Sequence, residues 1–157
     1  MGAFRKVIVG MILIVHFYSC HDTYTICDID TNVFERTGFY HITSGVAQPA
    51  YPTSFTLQMV GGTSPIFSNV GGTTRFLLAL NPLIDSAKYQ LFFYPNSSPD
   101  TLSFYYSSQP YTVSPDCGSI YINTLNRVNI TRHHVDSAVI SNNTVTNVSG
   151  ENLKIYL

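Results

Sequence analysis

The chain has no tryptophan, only three cysteines in 157 residues, and only 11% charged residues. Ordinary domains carry about 25% charge. The few lysines and arginines form no basic patch or stripe, and nucleic acid is not expected as a partner. No apolar run approaches the roughly 20 residues of a membrane-spanning helix; the run Val7–Val15 holds nine. There is no stretch of helical apolar period, no tract of like charge and no low-complexity linker. His-Glu-x-x-His, Gly-x-Ser-x-Gly and clustered-cysteine motifs are all missing. No catalytic set, metal site or cofactor is therefore expected, and the protein is read as not an enzyme.

What the sequence does have is an export segment. Arg5 and Lys6 precede the short apolar run, which leads into His16-Phe17-Tyr18-Ser19-Cys20. Basic start, short apolar core and a small residue before the cut make a signal peptide over residues 1–19. The end of this segment resembles a bacterial lipobox: Ser19 and Cys20 match, while Phe17 and Tyr18 depart from the usual Leu-like and small residues. The resemblance implies a thioether from the Cys20 sulfur to diacylglycerol and cleavage before Cys20. Three cysteines are odd for an exported protein. Lipidating Cys20 leaves Cys27 and Cys117, an even pair in an oxidising compartment, and a disulfide between them is expected. Without Arg5 and Lys6 the balance is six basic to nine acidic side chains.

Residues 20–32 are expected to form a polar tether and 33–157 a folded domain. Asp28-x-Asp30-x-Asn32 begins like a calcium loop, but Val33 and Phe39 stand where that loop needs Gly and Glu. Beyond it, apolar residues alternate with polar ones. Phe55, Leu57 and Met59 do so, as do Phe76, Leu78 and Leu80, Leu102, Phe104 and Tyr106, and Ile120 and Ile122. This is the period of a half-buried strand. Tyr89–Tyr94 is apolar on both faces near its end, as a central strand is. Turn signals such as Gly61-Gly62, Gly71-Gly72, Asn81-Pro82 and Pro95–Asp100 recur every 8–12 residues or so. The expected fold is all-β, an antiparallel β-sandwich of about eight or nine strands, preceded by the signal peptide.

Cys27 just after Cys20, the stretch Val113-Ser114-x-Asp116-Cys117-Gly118, Asp136-Ser137-x-x-Ile140 with the later Val145, and the ending Asn152–Tyr156 together carry a resemblance. The chain resembles an uncharacterised family of short Gram-negative cell-envelope lipoproteins, a domain of unknown function. The resemblance implies lipid anchorage through Cys20, with the protein at the outer membrane facing the periplasm or the cell surface. It implies no enzyme activity.

Three sets of residues are candidates for function. His133-His134 would point to opposite faces of a strand, so a shared metal would need a third ligand such as His41. Tyr94, Tyr105, Tyr106, Tyr111 and Tyr121 lie on or near strands and would suit stacking on sugar rings or a protein interface. Asp85-Ser86-Ala87, Asp100-Thr101-Leu102 and Asp136-Ser137-Ala138 resemble the acceptor used for O-glycosylation in some Gram-negative bacteria, making Ser86, Thr101 and Ser137 candidate acceptors. The expected role is a non-enzymatic, lipid-anchored binding or structural protein with an envelope protein as partner. The alternative is a glycan-binding module with an exposed tyrosine face.

Overall fold

The computed structural model describes residues 27–94 and 97–157. The expected signal peptide and Cys20 lie outside the described residues. Eleven strands are present among the described residues: β1 (Glu35–Thr43), β2 (Val46–Pro49), β3 (Phe55–Met59), β4 (Pro65–Val70), β5 (Arg75–Leu78), β6 (Ser86–Phe92), β7 (Asp100–Ser114), β8 (Gly118–Ile130), β9 (Ser137–Ile140), β10 (Thr144–Val145) and β11 (Leu153–Tyr156). The all-β sandwich expected from alternation is what the chain forms. The extra strands are short pieces with little or no buried apolar face. β2 is wholly exposed and β4 almost so.

The strands make two sheets. One runs β2-β1-β11-β9, with β5 also paired to β1; the other runs β10-β8-β7-β6-β3-β4. Pairing is antiparallel except between β1 and β11, which run parallel with Thr37 opposite Leu153 and Phe39 opposite Ile155. Parallel neighbours need a long connection, and here the nine intervening strands supply it. β6 lies inside the six-stranded sheet, between β3 and β7.

Each sheet turns its apolar residues inward. Phe39, Leu153 and Ile155 from one side meet Phe55, Leu91, Phe104 and Leu125 from the other, all at most 2% exposed. Phe39 is central to an aromatic group, with ring centroids 5.2 Å from Phe55, 5.5 Å from Phe76 and 5.9 Å from Phe93. Edge-to-face and tilted pairs at this spacing each contribute about 0.5–1.5 kcal/mol beyond the area they bury.

The β7–β8 hairpin gives the molecule two unlike ends. β7 has 15 residues and β8 has 13. At about 3.4 Å per residue, β7 is roughly 50 Å long. Its first half pairs with β6 through residues 100–105. Beyond that, Gln109–Ser114 and Gly118–Ile122 have no ladder partner but each other among the described residues. A two-stranded ribbon alone is marginal in water. This one is fastened at its tip by the Cys27–Cys117 disulfide, with Cα atoms 5.0 Å apart. Cys117 sits in a turn whose Ser114 hydroxyl accepts the Cys117 N–H at 3.0 Å. From Cys27 the chain returns toward β1, and Asn147 Nδ2 donates to the Asp30 carbonyl at 2.7 Å. Residues 27–32, expected as a tether, are thus held to the domain at the ribbon tip and beside β10. Asp30 closes a local turn, accepting from the Asn32 backbone and side-chain amides, both at 2.9 Å.

Candidate binding cleft

The other end of β7 begins at Asp100, and there the β6–β7 connection, the β8–β9 loop and the approach to β3 converge. Asp100 is fully buried. Its Oδ1 accepts from Thr131 Oγ1 at 3.1 Å and His133 N at 2.7 Å; its Oδ2 accepts from His134 N at 2.8 Å and Val135 N at 3.1 Å. Three successive backbone N–H groups wrapped on a carboxylate form an anion nest, and this nest shapes the β8–β9 loop. It explains Asp100 without any catalytic role. Asp100→Asn would turn an NH2 toward two donors in either orientation. It is expected to cost about 2–3 kcal/mol, read as a lower urea midpoint at an unchanged m-value.

The nest presents the His134 ring against Phe93 (6.3 Å) and Tyr94 (5.9 Å), both edge-on. Beside them opens a cleft of about 380 Å³ lined by Ser54, Phe55, Thr56, Gln58, Asn69, Phe92, Phe93 and Tyr94. A smaller hollow of about 140 Å³, lined by Pro52, Thr53, Ser54, Phe93, Tyr94, His134 and Leu157, shares three of those residues. Together they form one groove passing Tyr94, which is 60% exposed.

The groove wall comes from an irregular β3–β4 pairing, with register shifts between Phe55 and Leu57 and between Leu57 and Gln58. Asn69 adopts a left-handed backbone, φ 51°, a conformation that asparagine tolerates better than most residues. Its N–H donates to Thr56 Oγ1 at 3.0 Å. Gly71 packs against the Thr53 carbonyl so tightly that a Cβ would collide with that oxygen, so only glycine lets β4 lie this close to the rim. The Gln58 amide donates to the Gly62 carbonyl, which sets the side chain's orientation.

The five tyrosines singled out above do not form one platform. Tyr106 is 1% exposed, its hydroxyl donating to the Asn81 carbonyl at 3.0 Å. Tyr105 lies under the Arg127 guanidinium, 4.3 Å from its ring centre. Tyr111 and Tyr121 are exposed on the ribbon, but Tyr111 pairs with Ile120 and Pro110 with Tyr121. The two rings therefore stand on opposite faces. Only Tyr94 joins the groove. Other exposed apolar side chains are spread over separate places: Ile42 and Val46 on β1 and β2, Met59, Val60 and Ile66 around the β3–β4 connection, and Leu83 and Ile84 before β6.

Ser86, Thr101 and Ser137 are each half-buried on the outward face of a paired strand. Ser86 Oγ donates to Asp85 Oδ1 at 3.3 Å. His133 and His134 are used through their backbone, and His41 lies in β1, on the other sheet. No group of three or more His, Cys, Asp or Glu placed to hold a metal occurs among the described residues. Ser54, Thr56, Asn69 and Phe92 were not singled out from sequence. The one signal was Phe92, an aromatic residue on the polar face of β6.

Fold and groove define a two-sheet β-protein with a shallow, uncharged cleft at the end away from its disulfide. A family model described as a family of unknown function (DUF6452) matches residues 54–157, and the chain belongs to that family. No curated protein and no solved structure matches it.

Proposed function

We propose that the chain is a non-enzymatic binding protein of the Gram-negative cell envelope, anchored by lipid on Cys20. The observation that carries this reading is the Cys27–Cys117 disulfide. A structural disulfide suits an exported protein, and its use of Cys27 and Cys117 leaves Cys20 as the third cysteine. Residues 1–19 then act as the signal peptide, and the acylated Cys20 holds the protein at the outer membrane. Six residues lie between Cys20 and Cys27, so the seven steps from one to the other reach at most about 25 Å. The ribbon tip is then the membrane-proximal end, and the groove stands at the distal one, free to meet an envelope component.

Diacylglycerol supplies two chains, enough for stable attachment where one would be marginal. Cells fed an alkyne fatty acid are expected to label the wild-type protein and hold it in the membrane fraction. Cys20→Ser should abolish the label and release the protein from membranes. A Cys20→Ser protein that still labels would overturn the anchor.

A further inference from the structure

Resting on the binding-protein reading but not on the lipid, we propose that the distal groove binds an internal stretch of a neutral polysaccharide. The first argument is chemical. The main cleft is lined by two hydroxyl side chains, two amides and aromatic rings, with no Asp, Glu, Lys or Arg among them. Amides and hydroxyls both donate and accept, as a sugar hydroxyl requires of its partner. An exposed tyrosine ring offers a flat apolar face with a polar tip, which suits the C–H face of a pyranose. An anionic or cationic ligand would find no opposite charge on these walls.

The second argument is that the backbone of the polar wall and the Gln58 amide are set in place before any ligand arrives, with the Asn69 amide left free to bond a ligand. The register shifts in β3–β4 and the left-handed Asn69 turn that residue's side chain into the cleft wall. Bulges of this kind re-aim side chains at sheet edges. The Asn69 backbone is tied to Thr56, while its side-chain amide has no hydrogen-bond partner among the described residues. The third is shape. The cleft is open to solvent and shares Ser54, Phe93 and Tyr94 as walls with the second hollow, which suits a chain that extends beyond one ring better than a single enclosed sugar. A volume of about 380 Å³ lies in the usual range of ligand sites.

The test takes the full-length protein from whichever fraction of its own cells holds it. It is screened on arrayed neutral hexasaccharides of glucose, mannose, galactose and N-acetylglucosamine beside uronic-acid and sialylated chains, and any hit is titrated by calorimetry. At least one should bind. Tyr94→Ala and Asn69→Ala should each weaken it about tenfold or more. Tyr94→Trp should keep binding, and Tyr111→Ala, on the ribbon, should leave it unchanged. No binding of any neutral hexasaccharide at millimolar concentration would overturn the proposal. So would binding confined to uronic-acid or sialylated chains, or binding lost on Tyr111→Ala and kept on Tyr94→Ala. Specific binding of a purified envelope protein, with no saccharide bound, would sink the saccharide and leave the binding-protein reading standing.

Discussion

Replacing both Cys27 and Cys117 with serine is expected to lower the unfolding free energy by as much as about 4–5 kcal/mol. The bond closes a loop with a sequence separation of 90. Chain-entropy reasoning assigns a loop of that size about 4.6 kcal/mol, an upper figure that native strain reduces. Typical domains have roughly 5–15 kcal/mol in all, so the double variant loses a large share of its margin. Its Tm should fall by on the order of 10–20 °C in calorimetry. The loss should also have a place. Among the described residues Gln109–Ser114 and Gly118–Ile122 pair only with each other, and Pro110 brings no N–H to β7. Ile120 is buried there at 6% exposure, yet stands outside the main core cluster. Amide exchange in the ribbon should therefore accelerate more than exchange in β3, β6 or the first half of β7. A double variant whose ribbon stays as protected as its core would show that the hairpin stands without the bond. Single serine variants are less informative, because each leaves a free thiol.

The contrast between the two halves of this hairpin explains how much of the fold is legible in the sequence. Leu102, Phe104 and Tyr106 alternate because one face meets the core, and the strand can be read directly from them. Ser107–Thr112 touch no core, carry no apolar alternation, and leave β7 looking half as long as it is. β2 and β4 escape for the same reason: exposed edge strands need no apolar face. The cysteine pair is legible because the expected export and the small count of cysteines restrict it, with no geometry required. The groove is not, since residues 54–58, 69, 92–94 and 134 come from separate stretches that only the pairing of β3 with β4 and β6 assembles. Asp100 resembles other turn aspartates until its four donors are seen. Its neighbour Thr101 fits the glycosylation acceptor pattern, but the buried aspartate beside it is accounted for by the nest alone.

Glu35 is the residue whose role sequence conceals most, and it carries the second large expected effect: stability that falls as pH rises. Glu35-Arg36 looks like an exposed ion pair. In β1, however, Glu35 shares its side of the strand with Thr37 and Phe39, and all three are fully buried. Arg36 points the other way, donating to the carbonyls of Phe34, Thr146 and Asn147 and to Ser149 Oγ. The carboxyl is left with one described partner, the Thr37 hydroxyl, at 2.9 and 2.8 Å from its two oxygens. Burial, aided by the charge of Glu151 and opposed by Thr37 and Arg36, raises its pKa from 4.5 to about 8. On the opposing sheet, burial first and then the charges of Tyr106 and Glu35 push the Tyr89 phenol to about 12. The folded protein thus keeps a proton that the unfolded chain releases above pH 4.5. Between 4.5 and about 8 the folded state binds more protons, so the unfolding free energy falls by about 1.4 kcal/mol per pH unit. The contribution is intact below the lower value and lost as pH passes the upper one, a total on the order of 5 kcal/mol. Glu35→Gln removes the titration while leaving an oxygen to accept from Thr37. At pH 8 the variant should be more stable than wild type by on the order of 3–5 kcal/mol, and at pH 4 the two should agree within about 1 kcal/mol. Urea unfolding of both proteins across pH 4–9 measures this. A wild-type stability that is flat over that window, or one that rises with pH and is unaffected by Glu35→Gln, would mean that the carboxyl is solvated or paired when charged.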